Sequence, residues 1–177
     1  MSTLLRCESK RWGCVLVAVL TFGCTSSMAT SRIGAAVVSE SKGLPCFSIP
    51  ASAETSEGVP LRALVVSEIQ TGDWRTLPDV LWSFRTAIAP ARPLLRPKDC
   101  IRYGEAPGGS TQSPVTRLKP FHVYYVNVIA KSEDSSMIGY VAKFCLKPDS
   151  TGKVVIQLIS PDERGGSKRY DVCLPPK

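Results

Sequence analysis

From residue 44 onward, the chain is interrupted every few residues by proline, glycine or small polar residues. Its 14 prolines and 13 glycines leave only short apolar or alternating runs, which is the pattern of antiparallel strands and not of helices. Pro90, Pro93 and Pro97 also exclude a long helix between residues 89 and 98, because each removes a backbone donor and restricts the preceding residue. We therefore predict an all-β fold with an extended crossover in that stretch.

Seven or eight short strands are predicted from these runs. The strongest covers residues 121–130, where apolar side chains alternate onto both faces, as in a central strand. Residues 137–146 should pair with it as a hairpin, and the loop at 106–114 should be the most mobile part of the body. The other predicted strands are 45–49, 61–69, 80–84, 99–103, 153–159 and one around 170–174. Their regular spacing predicts an immunoglobulin-like antiparallel β-sandwich over residues 44–177.

The first residues of the chain have the pattern of an export signal. Arg6, Lys10 and Arg11 precede an uncharged apolar run over residues 14–23. At about 1.5 Å of helix rise per residue, this run covers roughly half of a 30 Å hydrocarbon core, so it is too short to span a bilayer. We expect a chain that leaves the cytoplasm.

The apolar run ends in Leu20-Thr-Phe-Gly-Cys24, which is similar to a bacterial lipobox. This similarity implies that residues 1–23 are a lipoprotein signal peptide and that Cys24 is lipidated, which anchors the protein to a membrane. Cleavage after Ala29 is the alternative, because the residues before it are also small.

Behind the predicted cleavage point, residues 24–43 are mostly small and polar, which predicts a flexible tether. In bacterial lipoprotein sorting, Asp directly after the lipidated Cys marks inner-membrane retention. By resemblance to that signal, Thr25 implies a periplasmic protein held at the outer membrane. Removing residues 1–23 leaves 19 basic and 14 acidic residues, a net charge of +5. These basic residues are scattered, whereas nucleic-acid binding needs a basic stripe with aromatics, so we expect no nucleic-acid partner. A preference for an acidic protein surface is the alternative to an ordinary basic surface.

The predicted export signal separates the seven cysteines into three groups. Two belong to the signal, one is Cys24, and four remain in the body. These four are Cys46, Cys100, Cys145 and Cys173. Successive members lie 54, 45 and 28 residues apart, without the close Cys-x-x-Cys pair of zinc sites, so two disulfides are predicted and no metal site. All three connectivities are open.

The sequence contains no catalytic motif. The single histidine, His122, lies in the strongest predicted strand, where a structural role is expected. There is no Gly-x-Ser-x-Gly elbow and no phosphate-binding loop, and four paired cysteines leave no thiolate nucleophile. We therefore expect a binding protein and not an enzyme, without a cofactor or a small-molecule ligand.

Trp and Arg residues are concentrated between residues 74 and 103, and these residue types dominate protein–protein hot spots. Trp74 and Arg75 lie in a Gly-Asp-Trp-Arg loop and are the candidate contacts with a partner. Trp82 lies in a predicted strand with Phe84, where we expect it to fill the core.

Several segments, taken together, resemble a known family. They are Cys46-Phe-Ser48, Val80-Leu-Trp82, Pro93-Leu-Leu-Arg-Pro-Lys-Asp-Cys-Ile-Arg-Tyr-Gly104, Leu118-Lys-Pro-Phe-His-Val-Tyr124 and Tyr140-Val-Ala-Lys-Phe-Cys-Leu146. These segments resemble the small extracytoplasmic lipoproteins of Gram-negative bacteria that are catalogued as type VI secretion immunity proteins. The resemblance implies a periplasmic protein that binds a cognate secreted toxin, such as a phospholipase or a cell-wall hydrolase, and occludes its active site.

Two other functions stay open at this point. One is a structural or assembly lipoprotein of the cell envelope or the secretion machinery. The other is an enzyme or small-ligand binder that uses His122.

Overall fold

The computed structural model describes residues 33–69, 78–87, 92–131 and 138–159, together with Cys173 and Pro175. All of them belong to one unit of the chain, Arg32–Lys177. Within these ranges the chain forms eleven strands and no α-helix, so the predicted all-β class is confirmed. The strands are β1 (Ile33–Ala35), β2 (Val37–Ser41), β3 (Leu44–Ser48), β4 (Val59–Glu68), β5 (Asp79–Arg85), β6 (Leu94–Leu95), β7 (Ile101–Arg102), β8 (Thr111–Gln112), β9 (Val123–Ala130), β10 (Gly139–Pro148) and β11 (Val154–Ile159). The strand predicted around 170–174 lies outside the described residues except for Cys173.

Eight strands form the larger sheet, in the order β1-β10-β9-β4-β5-β8, with β11 also paired to β10 and β6 to β4. β9 and β10 pair antiparallel, which confirms the predicted hairpin. β1 runs parallel to β10, so the prediction of purely antiparallel sheets is wrong at this edge. The ten-residue β10 is long enough to hold two strands end to end on one edge, with β1 along its first residues and β11 along its last.

A smaller sheet, in the order β2-β3-β7, packs across the larger one. Rings from the two layers meet in the middle. Phe47 of β3 contacts Phe144 of β10 at 5.8 Å between ring centroids, and Tyr103, directly after β7, contacts Trp82 of β5 at 5.3 Å. One continuous cluster of buried side chains therefore joins both layers.

The predicted tether is too long, because residues 33–41 already belong to the fold. β1 pairs with the larger sheet and β2 with the smaller one, and Val38 is only 7% exposed. Lys42 and Gly43 close the β2–β3 hairpin with φ values of 54° and 78°, the positive values of the two-residue type I′ turn that matches strand twist. The described body therefore begins at Ile33, not at residue 44, and residues 24–32 of the predicted tether lie outside the described residues.

β9 is the central strand that the apolar pattern predicts, paired with β10 on one side and β4 on the other. The side chains that it buries completely are those of Tyr124, Val126, Val128 and Ala130. The predicted start of this strand is two residues too early. Phe121 takes a left-handed φ of 64°, which the pleat of a strand does not accommodate, and its N–H donates to Leu146 O at 2.8 Å.

The loop at 106–114, which we expected to be the most mobile part of the body, includes β8 and covers the edge of β5. Ser113 N donates to Ser83 O at 2.9 Å, and Thr116 N donates to Leu81 O at 3.0 Å. The hydroxyl of the buried Tyr103 donates to Thr116 O at 2.7 Å. These bonds satisfy backbone groups that an edge strand leaves open.

The four cysteines of the body pair in one of the three open connectivities. Cys46 bonds to Cys100, with Cα atoms 5.4 Å apart, and Cys145 bonds to Cys173, with Cα atoms 5.9 Å apart. The first bond ties β3 to the segment before β7. The second ties β10 to the C-terminal region of the chain.

Replacing both Cys46 and Cys100 with alanine should lower the free energy of unfolding by about 4 kcal/mol, because the unfolded chain regains the freedom of a long closed loop. The bond joins residues 54 positions apart. Chemical denaturation of the oxidised parent and the double variant measures the loss. Replacing Cys145 and Cys173 is the matched control with a shorter loop, and losses below about 1 kcal/mol in both double variants contradict the pairing.

Stability should also fall at high pH. Burial raises the pKa of Tyr103 and of Tyr124 from 10.0 to about 12, with Tyr124 adding to the shift at Tyr103. The unfolded chain ionises first, so stability that is fully present below pH 10 is lost as the pH rises from about 10 to about 12. Denaturation midpoints measured across this range test the effect. The Tyr103→Phe variant should lose less stability over the range than the parent, and an equal loss in both contradicts the assignment.

Candidate binding surface

Several predicted site residues fall outside the described part of the chain, namely Cys24, Trp74 and Arg75. Trp82 is described and has no exposed surface. Its ring lies edge-on against Tyr103, in the core between the two sheets. The expected core role of Trp82 is confirmed, and this residue offers nothing to a partner.

The described arginines of the 74–103 segment belong to both sheets. Arg102 lies in β7 of the smaller sheet and pairs with Glu105 at 2.7 Å, and Arg96 O accepts a hydrogen bond from Ser48 of β3. Arg85 ends β5 of the larger sheet and is exposed. Arg92 directly precedes Pro93, whose carbonyl accepts a hydrogen bond from Leu61 N of β4.

His122 lies directly before β9 and not within it. Its Nδ1 contacts Oε1 of Glu68, the last residue of β4, at the point where these neighbouring strands meet. The two side chains are 40% and 24% exposed. The contact links the ends of two adjacent strands.

The face of the larger sheet that is turned away from the core carries a half-buried apolar surface. Strand register places Asn127 between Val141 of β10 and Val65 of β4, and Val65 beside Ser83 of β5. We call this surface the outer face, and its half-buried members are Val65, Ser83, Tyr125, Asn127, Ile129, Val141 and Lys143, the last of which lies opposite Tyr125. Because paired residues of neighbouring strands point to the same side, these side chains form one continuous patch across four strands.

Asn127 and Tyr125 bring an amide and a hydroxyl to the middle strand of this patch. Among the described residues, none hydrogen-bonds the Asn127 side chain or the Tyr125 hydroxyl. Burial raises the pKa of the Tyr125 phenol, so it stays a neutral donor at physiological pH. The outer face therefore combines apolar area with an amide and a hydroxyl that no described residue hydrogen-bonds.

One end of the outer face is stiffened by a second, smaller cluster of buried side chains. Its buried members are Val123, Cys145, Ile159 and Cys173, with Ile69 packed against them. Val123 lies on the same side of β9 as Tyr125, two residues away. The Cys145–Cys173 bond therefore sits on the outer side of the sheet and fixes the surroundings of the patch.

The outer face is not evident from the sequence, because apolar residues on both sides of β9 indicate burial on both sides. A signal was nevertheless present. Asn127 places an amide among the apolar residues on one side of β9. The other side carries Val126 and Val128 and has no amide or charged residue. A fully buried face carries an unpaired amide at a cost of about 1–3 kcal/mol, so the interruption marks the wetter face.

An open outer face should bind an apolar dye. Replacing Tyr125 and Ile129 with serine should reduce the fluorescence of bound anilinonaphthalene sulfonate by about half, because these two are the largest apolar side chains of the patch. Circular dichroism checks that the fold is kept. As a control, Val154→Ser with Leu158→Ser changes two exposed aliphatic residues of β11 and should leave outer-face binding in place. Equal dye binding by the parent and the outer-face variant contradicts an open patch.

Within the described ranges, no three His, Cys, Asp or Glu side chains come together as a group that could hold a metal ion. The same ranges contain no helix that is both long and apolar enough to cross a membrane. No family model matches the chain, and no match is found among curated proteins or among solved structures.

Proposed function

We infer that this protein is an extracytoplasmic immunity lipoprotein, which binds a toxin delivered by neighbouring cells and covers the active site of that toxin. The N-terminal pattern of an export signal with a lipobox-like end at Cys24 supports the location. Two disulfides suit an oxidising compartment such as the periplasm. The resemblance of residues 44–146 to the immunity family supports the role.

The outer face is the observation that carries this proposal. Its apolar side chains lie in the middle of the larger sheet, where strands on both sides hold the backbone in place. Tyrosine is enriched among binding hot spots, and exposed apolar patches mark interaction sites. A broad sheet face suits a protein partner, whereas small ligands prefer concave pockets.

The size of the outer face indicates what else the partner contacts. Each side chain on one face of a sheet occupies about 4.8 Å by about 7 Å, so the members of the outer face give a patch of roughly 200 Å². A stable complex buries about 800 Å² on each partner. The outer face is therefore the apolar centre of the interface, and flanking polar residues such as Arg85 form its rim.

Inhibition by such a surface needs no chemistry on the immunity protein. The sheet is preformed, so binding orders few side chains and loses little conformational entropy. A partner seated on the outer face is blocked sterically, and the inhibitor survives unchanged.

Deleting the gene should make cells sensitive to siblings that deliver the cognate toxin, and the parental gene should restore survival. A Tyr125→Ala/Asn127→Ala variant should fail to restore it, because loss of hot-spot side chains weakens binding by about 2–4 kcal/mol, or roughly 30- to 1,000-fold. Competition assays between deletion and toxin-armed strains measure survival. Affinity of the purified pair measures the binding loss directly.

The matched control is Val154→Ala/Leu158→Ala, which truncates two exposed aliphatic side chains of β11 and should protect as well as the parent. Thermal melts verify that both variants fold. Survival of the deletion strain beside toxin-armed siblings overturns the immunity role. Loss of secretion in the deletion strain, with unchanged survival, points instead to an assembly lipoprotein.

A further inference from the structure

Residues 113–119, all of them described, form an extended segment along one edge of the larger sheet. The segment follows β8, which pairs with β5, and continues beside β5. Ser113 and Lys119 each precede a proline, which restricts both residues to extended backbone. No backbone hydrogen bond joins two residues of the segment, so its main chain forms neither a turn nor a helix. We call these residues the edge segment.

Hydrogen bonds from the rest of the fold hold the edge segment at three points. The N–H groups of Ser113 and Thr116 donate to carbonyls of β5, as described above. The carbonyl of Thr116 also accepts a bond of 2.7 Å from the hydroxyl of Tyr103. At the far end, the hydroxyl of the buried Tyr124 accepts from Lys119 N at 2.7 Å and donates to Lys119 O at 2.9 Å. The segment is therefore extended and also fixed in place.

Arg117 is exposed between these fixed points. Val115, two residues earlier and 51% exposed, lies against Gly104, where an added Cβ would come within 3.4 Å of it. In an extended chain, side chains two positions apart point to the same side. Among the described residues, none forms an ion pair or a hydrogen bond with Arg117, so nothing there competes for its guanidinium or its main-chain groups.

The next residue, Leu118, is half-buried and packs against the main core. The peptide bond between Arg117 and Leu118 therefore joins an exposed side chain to one that the core holds. Thr116 on one side of this bond and Lys119 on the other are both tied to tyrosine hydroxyls. The two sides of the bond stay close together even if the bond itself is cut.

An exposed, extended chain with one central arginine has the form in which an endopeptidase binds a substrate. Extended peptides bind through main-chain hydrogen bonds, and pockets for alternate side chains supply specificity. In trypsin-type serine peptidases, the main pocket carries a carboxylate at its base. A guanidinium matches a carboxylate with two parallel hydrogen bonds. Because the edge segment is already extended, binding loses little conformational entropy.

We propose that the edge segment binds in the active-site cleft of trypsin-type serine endopeptidases and inhibits them, with Arg117 in the acidic pocket. The peptidase serine oxygen bonds to the Arg117 carbonyl carbon while the bond to Leu118 N breaks, and this nitrogen takes the serine proton. The held amine of Leu118 stays beside the acyl carbon and attacks it, which restores the peptide bond and frees the serine. Hydrolysis by water is therefore slow. This activity goes beyond the immunity role and does not depend on it.

Binding is measured with the full, oxidised chain and trypsin whose catalytic serine is replaced by alanine, so that no bond is cut. Benzamidine, a small cation that fills the acidic pocket, should compete. Arg117→Ala should weaken binding at least about 30-fold, because the pocket carboxylate loses its partner, whereas Arg117→Lys keeps the charge and should retain most of the affinity. Lys119→Ala is the matched control, since it removes the other exposed cation of the segment and should weaken binding less than about fivefold.

Active trypsin tests the hold on the peptide bond. The parent should inhibit the enzyme, and mass spectrometry should show only slow cleavage between Arg117 and Leu118. Tyr124→Phe removes the hydroxyl that holds Lys119, so cleavage at this bond should become about tenfold faster. Tyr140→Phe, a change at a buried tyrosine of β10, is the control and should leave the rate unchanged. Circular dichroism verifies that both variants fold.

Equal binding of the parent and Arg117→Ala overturns the proposal, as does cleavage of the parent between Arg117 and Leu118 at the rate of an unfolded peptide of the same sequence. Absence of binding also overturns it, and leaves the edge segment as a cover for β5, since proline and cations protect sheet edges. The Tyr125→Ala/Asn127→Ala variant changes only the outer face and should bind trypsin like the parent. Failure of this activity and failure of the immunity role are therefore separate results.

Discussion

The parallel pairing of β1 with the start of β10 is the constraint on which the arrangement of this protein depends. It pins the chain at Ile33 and leaves the rest of the β10 edge to β11. Ala36 N then donates to Val141 O at 2.8 Å, after which the chain passes to the smaller sheet as β2. One short segment thus closes the edge of one layer and begins the other, so the two sheets enclose a single core.

Much of the fold was predictable from the sequence, since strand length and turn chemistry are local properties. Alternation and proline placement located β3, β4, β5, β9, β10 and β11 closely, and the β9–β10 hairpin followed from them. The parallel partner of β1 was not predictable, because it depends on a contact between residues about a hundred positions apart. The β2–β3 hairpin was missed for a local reason: Gly43 signals a type I′ turn, but the surrounding serines and charges resemble a linker.

The candidate site was less predictable than the fold. Trp82 filled the core as expected, but Trp74 and Arg75 lie outside the described residues. The outer face is evident only from the register of the paired strands. This register places Val65, Asn127 and Val141 side by side, although they come from three strands. Periodicity shows that a strand has two apolar faces, yet only the sheet order shows which of them is covered. A patch with the amide of Asn127 at its centre is a feature of the assembled sheet.

The central claim is that a protein partner covers the outer face. Hydroxyl-radical footprinting of the protein, alone and with its co-purified partner, measures this at individual side chains. We expect oxidation of Tyr125 and Ile129 to fall when the partner binds, while Leu158, which is 48% exposed on β11, stays unchanged. Protection of Leu158 with undiminished oxidation of Tyr125 contradicts the claim and moves the interface to another surface.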